Sequence, residues 1–119
     1  MRIIIADDRS KVRGALQLLL GQQPALSVVG EIARPGEVVN SVQTLRPDLL
    51  LLDWELAGAE TPQLLSQLRR LDYRLFVIAL SSQPEAREAA LAAGVDGFIS
   101  KSEPPEQVLD TLFGVTSRK

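Results

Sequence analysis

The chain has 119 residues, of which 45% are hydrophobic and 24% are charged, a composition typical of one globular domain and unlike that of a disordered chain. It contains no cysteine and no histidine, which excludes disulfide scaffolds, thiol catalysis, Ser-His-Asp triads and histidine or cysteine metal sites. The formal net charge of −2 provides no basic surface, so we expect no direct nucleic-acid binding.

The first residues predict a strand rather than a targeting segment. Met1-Arg2 leads directly into Ile3-Ile4-Ile5, without the apolar region and small-residue cleavage site of a signal peptide. Apolar runs elsewhere are far too short to cross a bilayer. We therefore expect a cytoplasmic protein with no membrane partner.

Short apolar segments alternate with stretches that have the period of a helix. The short segments are rich in isoleucine, valine and leucine, and three of them are apolar nearly throughout, which is typical of parallel strands covered on both faces. The predicted strands are Arg2–Ala6, Val28–Ala33, Asp48–Leu52, Leu75–Leu80 and Gly97–Ser100.

Each stretch between or after these strands places apolar residues on one face of a helix. Prolines at Pro62, Pro84 and Pro105 suit the first turn of a helix, and Gly94 suits a C-terminal cap. The predicted apolar faces are Val12, Ala15, Leu16, Leu19 and Leu20; Val38, Val42 and Leu45; Leu64, Leu65, Leu68 and Leu71; Ala86, Ala89, Ala90 and Ala93; and Val108, Leu109, Leu112 and Phe113.

The order of these elements predicts an α/β domain of five βα units, with a doubly wound five-stranded parallel sheet in the strand order 2-1-3-4-5. We expect this domain to span residues 1–115, and residues 116–119 to form a polar tail or the start of a linker. In such a sheet, ligands bind beyond the carboxyl ends of the strands, where the strand order reverses between the first and third strands.

Chemically active side chains follow the predicted strands at this edge. Asp7 and Asp8 follow the first strand, Asp53 the third, Ser81 ends the fourth and Lys101 follows the fifth. Any one of these acids could simply cap a helix or be solvated. Together they are costly, since two like charges about 4 Å apart repel by roughly 4 kcal/mol at an effective dielectric constant of 20. Oxygen ligands without histidine or cysteine indicate Mg²⁺ or Mn²⁺.

These residues and their surroundings resemble the receiver domain of bacterial two-component response regulators over essentially the whole chain. The ending Lys101-Ser102 and the run Pro105 to Leu109 are most similar to receivers joined to a helix-turn-helix DNA-binding output domain. The matching segments are Asp7-Asp8, Arg46-Pro47-Asp48, Leu50-Leu51-Leu52-Asp53, Ser81, and Ala93 to Lys101.

The resemblance implies a flavodoxin-like receiver fold and a chemical role for each matched residue. Asp53 is implied to be the phosphoacceptor for a sensor histidine kinase. Asp7 and Asp8 are implied to hold Mg²⁺ with Asp53 and the main-chain carbonyl of Glu55, and Lys101 to bind phosphoryl oxygens.

A conformational switch and partners are implied in the same way. Ser81 is expected to move to a phosphoryl oxygen, and Phe98 to turn inward as it does so, although Phe98 could equally be an ordinary core aromatic. The implied output is control of transcription, with a possible homodimer on phosphorylation. We expect no enzymatic activity beyond the chain's own phosphorylation and dephosphorylation.

Departures from the family pattern leave an alternative open. Leu56-Ala57 stands where an aliphatic residue and proline are usual, and Glu60-Thr61-Pro62 where a glycine is expected. The segment from Ser81 to Lys101 is about two residues shorter than usual, most simply in the loop at 82–85. These departures favour, as the alternative, a phosphorylation-independent interaction module of receiver fold.

Two other functions are less consistent with the sequence. An aspartate-nucleophile phosphatase places an Asp-x-Asp pair after its first strand, whereas Asp7 and Asp8 are adjacent and Arg9 follows. Nucleotide binding is not supported, because neither G-x-G-x-x-G nor a P-loop is present.

Overall fold

Five parallel strands form one sheet in the order β2-β1-β3-β4-β5 in the computed structural model, which describes residues 1–117. Single turns of 3₁₀ helix precede α2, α3 and α4. The elements are β1 (Arg2–Ala6), α1 (Ser10–Gly21), β2 (Ser27–Ile32), α2 (Val38–Leu45), β3 (Leu49–Asp53), α3 (Thr61–Arg69), β4 (Phe76–Ser81), α4 (Arg87–Ala92), β5 (Gly97–Ser100) and α5 (Pro105–Thr116). The predicted fold class and strand order are confirmed.

Two apolar layers cover the sheet because successive side chains of a strand point to opposite faces. Ile4, Leu50 and Leu52 pack with helices α2, α3 and α4. Ile3 and Leu51, on the other face, pack with α1 and α5. Strand β3 is therefore buried along its whole length, which explains why its sequence is a continuous apolar run.

Strands β2, β3 and β4 are each displaced by one residue from their predicted bounds. The displacement of β3 has a clear cause at Asp48, whose side chain accepts a hydrogen bond of 2.8 Å from the backbone N–H of Arg2. Asp48 therefore precedes the strand, and Asp53 is its last residue, paired in register with Leu80. This register places the Asp53 side chain at the carboxyl edge of the sheet.

The predicted helix faces of α2 and α3 are buried or partly buried, and that of α1 is mostly half-buried, but those of α4 and α5 need correction. Of the four alanines predicted for α4, only Ala90 is buried, because the six-residue helix includes neither Ala86 nor Ala93 and exposes Ala89. Phe113 of α5 is 38% exposed. Val115 packs on the sheet in its place, close to Gly97, where an added Cβ would lie 2.6 Å from the Val115 Cγ2 atom.

Two single residues, Ala15 and Gly94, test smaller predictions from the sequence. Ala15 of α1 is exposed rather than buried. Gly94 follows α4 at φ +109°, a left-handed conformation that favours glycine after a helix.

The C-terminal boundary stays a prediction. Helix α5 ends at Thr116, within the tail predicted at 116–119, and residues 118 and 119 lie outside the described part of the chain. Among residues 1–117, no helix combines the length and apolarity needed to span a membrane.

Candidate functional site

The carboxylate of Asp7 is held at the end of β1 by neighbouring backbone and by α1. Its side chain is fully buried, and Oδ1 accepts a hydrogen bond of 2.9 Å from the backbone N–H of Arg9. The carbonyl of Asp7 accepts a hydrogen bond of 2.7 Å from the Arg13 guanidinium, which also forms a 3.0 Å ion pair with Glu31. The Arg9 N–H therefore orients the Asp7 carboxylate, and Arg13 holds the backbone of Asp7 against α1.

Asp53 is held in a similar way at the end of β3. The residue is 4% exposed, and its Oδ1 accepts a hydrogen bond of 3.2 Å from the backbone N–H of Glu55. The next residue, Trp54, continues the sheet by donating its backbone N–H to the carbonyl of Leu80 at 2.7 Å. The Asp53 carboxylate is therefore oriented by the backbone of the loop that follows β3.

Lys101 joins the two carboxylates. Its backbone N–H donates to the carbonyl of Ser81 at 2.7 Å, which anchors the start of the side chain beside β4. The Nζ atom lies 2.7 Å from Asp7 Oδ2 and 3.3 Å from Asp53 Oδ1. One ammonium thus contacts two nearly buried acids, and its positive charge offsets the repulsion between them.

The pKa values of the site follow from this crowding. Burial, and then the charge of Asp7, raise the pKa of Asp53 above its ordinary value of 3.8, against the opposing effect of Lys101. Burial acts to lower the pKa of Lys101, but its hydrogen bond with Asp7 and the charges of Asp53 and Asp7 outweigh it, so the pKa is raised. The ammonium therefore stays charged at neutral pH.

Asp8 completes an acidic cluster at the edge of the site. Asp7, Asp8 and Asp53 each offer one oxygen, and these three oxygens all lie within 4.8 Å of one another. Asp7 and Asp53 are buried, whereas Asp8 is exposed to solvent. Three carboxylate donors that are partly open to water fit Mg²⁺, which prefers oxygen ligands and usually retains several waters.

The hydroxyl group of Ser81 is hydrogen-bonded to the side chain of Glu55. The fully buried hydroxyl donates a hydrogen bond of 2.9 Å to Glu55 Oε2 and accepts one of 3.0 Å from the backbone N–H of Gln83. Within residues 1–117 it makes no hydrogen bond with Asp53. The expected movement of Ser81 toward a phosphoryl group therefore stays a prediction.

Phe98 already lies inside the domain. It is 4% exposed and packs in the apolar layer between the sheet and helices α2–α4. An inward turn coupled to Ser81 is thus not seen in this conformation, and its role as a switch stays a prediction beside that of a core aromatic.

Sequence reasoning missed Arg9, Arg13 and the side chain of Glu55 as parts of this site. Arg13 did carry a signal, because it occupies the first turn of α1, where the helix dipole disfavours a positive charge. Its partner in the structure is the carbonyl of Asp7. The contribution of Arg9 comes from its backbone and carries no sequence signal.

The five-stranded parallel sheet and its acidic carboxyl edge are the features that the resemblance to receiver domains implies. The chain belongs to the response regulator receiver domain family, whose family model matches residues 3–113. The family predicted from the sequence motifs is therefore confirmed.

Among curated proteins, the nitrate/nitrite response regulator protein NarL of Escherichia coli (strain K12) is 32% identical over 112 residues, covering 92% of this chain and 52% of NarL. The DNA-binding transcriptional activator EvgA of the same strain is 29% identical over 114 residues, covering 94% of this chain and 55% of EvgA. This chain thus spans about half the length of these relatives.

A solved structure supports the fold. The signal receiver domain of the response regulator NarL from Mycobacterium tuberculosis matches with a TM-score of 0.86 at 22% sequence identity, covering 99% of this chain and 97% of that chain.

Proposed function

We propose that this chain is a phosphoacceptor signal receiver, in which Asp53 takes a phosphoryl group from a sensor histidine kinase in a Mg²⁺-dependent reaction. The observation that carries the proposal is the convergence of Lys101 on Asp7 and Asp53 at 2.7 and 3.3 Å. The oxygen donors of these acids and Asp8 fit Mg²⁺ or Mn²⁺. The carbonyl of Glu55 is the further ligand that the family resemblance implies.

The transfer joins a carboxylate oxygen of Asp53 to phosphorus while the bond between phosphorus and the kinase's histidine nitrogen breaks. The released imidazole keeps the bonding electron pair. Asp7, Asp8 and Asp53 would hold Mg²⁺, whose positive charge would stabilise the negative charge of the phosphoryl group. The Glu55 N–H orients Asp53, and Lys101 moves its ammonium from the Asp53 oxygen to a phosphoryl oxygen nearby.

The new charge is large enough to change the conformation. An aspartyl phosphate adds about −1.5 to −2 charges, and a shift from 1:99 to 99:1 between two conformations requires about 5.5 kcal/mol. Hydrogen bonds to charged groups contribute about 1.5–3 kcal/mol each. Two such bonds, from Lys101 and Ser81 to the phosphoryl group, contribute about 3–6 kcal/mol before the loss of their resting contacts with Asp53 and Glu55 is subtracted. Phe98 is the aromatic residue of the proposed switch.

We further propose that the output is transcription and that phosphorylation favours a homodimer. The names of NarL and EvgA, a response regulator and a DNA-binding transcriptional activator, support this output. DNA contact would then belong to a segment outside this chain, because its net charge of −2 provides no basic surface. The chain catalyses only its own phosphorylation and dephosphorylation, and its cytoplasmic location stays a prediction.

The test is to incubate the protein with acetyl phosphate and Mg²⁺ and to measure intact mass. We expect one phosphoryl group on the wild type, and none on Asp53→Asn or in the presence of EDTA. Asp110→Asn, at an exposed position of α5, is the matched control and should be labelled like the wild type. Labelling of Asp53→Asn at the wild-type rate would contradict the assignment.

The second candidate is a phosphorylation-independent interaction module. It is favoured by two observations, the hydrogen bond of the Ser81 hydroxyl to Glu55 and the burial of Phe98 as a core aromatic. Absence of any acyl phosphate in the same experiment, with the fold intact, would favour this candidate.

A further inference from the structure

The side chain of Glu55 has a contact that the proposed phosphotransfer does not use. Glu55 follows Asp53 by two residues, and its backbone N–H donates to Asp53 Oδ1. Its carboxylate crosses to the neighbouring strand and accepts the hydroxyl proton of Ser81 at 2.9 Å. The Ser81 oxygen in turn accepts the Gln83 N–H at 3.0 Å. These bonds connect the loop after β3 with the end of β4.

We propose that the Glu55 carboxylate is a positioning residue that retains the Ser81 hydroxyl in the resting state and releases it when Asp53 is phosphorylated. This inference rests on the proposed function and specifies how that site is regulated. A serine hydroxyl has one proton to donate. Ser81 therefore cannot donate to Glu55 and to a phosphoryl oxygen at the same time, and the two states exclude each other.

The charge of the phosphoryl group provides the cause of release. The backbone N–H of Glu55 is hydrogen-bonded to Asp53, so a phosphoryl group on Asp53, with about −1.5 to −2 charges, offers Ser81 a second anionic acceptor beside the same loop. Glu55 is an exposed residue, so its carboxylate can turn toward water when the hydroxyl leaves. Ser81 is fully buried and must find another acceptor, which the phosphoryl group supplies.

The resting hydrogen bond also opposes activation. A bond from a hydroxyl to a carboxylate is stronger than one to a neutral acceptor, and it is lost when Ser81 moves. Removing the Glu55 carboxylate should therefore raise the free energy of the resting state relative to the activated state. Glu55→Gln keeps a weaker acceptor, and its effect should fall between those of Glu55→Ala and the wild type.

A double-mutant cycle separates this effect from simple charge removal. Beryllofluoride, a mimic of the phosphoryl group, is titrated with Mg²⁺ into the full chain, and binding is followed by the fluorescence of Trp54, the single tryptophan. We expect Glu55→Ala to tighten binding about tenfold when Ser81 is present. In the Ser81→Ala background, where no hydroxyl is retained, the same substitution should change binding by about twofold at most. Glu60→Ala, at an exposed acid on the same loop, is the control and should have little effect in either background.

A second measurement needs no phosphoryl mimic. Amide hydrogen exchange of Gln83 in the metal-free protein should be faster in Glu55→Ala than in the wild type, because the Ser81 oxygen is no longer held in place. Equal effects of Glu55→Ala in both Ser81 backgrounds, or unchanged Gln83 exchange, would overturn the inference alone. Failure of the wild type to bind beryllofluoride would instead overturn the proposed function on which it rests.

Discussion

Removal of the Lys101 ammonium should destabilise the metal-free protein. At an effective dielectric constant of 20, its attractions to Asp7 at 2.7 Å and to Asp53 at 3.3 Å amount to about 6 and 5 kcal/mol. Much of this is offset by the cost of removing the ammonium from water, since the Lys101 side chain is only 13% exposed. Breaking such a buried pair from one side costs about 3–5 kcal/mol. For Lys101→Met we expect the lower value, about 3 kcal/mol.

Thermal unfolding followed by circular dichroism at neutral pH without divalent cations measures this loss. A loss of about 3 kcal/mol corresponds to a decrease in melting temperature of roughly 12 °C for a domain of this size. Lys11→Met, at an exposed position of α1, is the matched control and should change the melting temperature little.

The pH dependence of stability tests why Lys101→Met destabilises the protein. Because the pKa of Asp53 is raised in the folded protein, the folded state binds this proton more tightly than the unfolded chain. The Asp53 contribution to stability therefore improves as pH falls through the folded pKa toward 3.8. Lys101 lowers this pKa, so Lys101→Met raises it further, and proton uptake begins at higher pH. The difference between variant and wild type should shrink on acidification, and a small difference, or one that is independent of pH, would refute the reasoning.

Three further predictions concern the protein with Mg²⁺, or with Mg²⁺ and beryllofluoride, bound. Millimolar Mg²⁺ should raise the wild-type melting temperature, by an amount equivalent to about 2.7 kcal/mol at one hundred times Kd. Asp8→Ala should reduce this rise and stabilise the metal-free protein. A melting temperature that does not change with Mg²⁺ would argue against a metal site. Mg²⁺ with beryllofluoride should produce a symmetric dimer, and unchanged sedimentation velocity would refute this for the chain alone. The same additions should alter amide hydrogen exchange from Gln83 to Phe98, whereas changes confined to the surroundings of Asp53 would show that Ser81 and Phe98 are not used as a switch.

The sheet and the acidic cluster were predictable because they depend on local patterns. Apolar runs of four to six residues indicate buried strands, and the carboxyl ends of parallel strands meet at one edge, where Asp7, Asp53 and Lys101 were therefore expected. The bond between Glu55 and Ser81 was not predictable, because it depends on two side-chain rotamers in different loops. The orientation of α4 was not predictable either, since alanine gives little contrast between an apolar and a polar helix face.

Strand β3 has a consequence for the fidelity of folding. Its first four residues are all leucine, so a slip of one residue along its neighbours would exchange one leucine for another, and the apolar pattern alone cannot select the register. The two acids at its ends, Asp48 and Asp53, select the register. Asp48 is held by the N–H of Arg2, and a slip would draw Asp48 or Asp53 into the apolar ladder, where an unpaired charge is very costly. The residue proposed to receive the phosphoryl group therefore also marks where the central strand must stop.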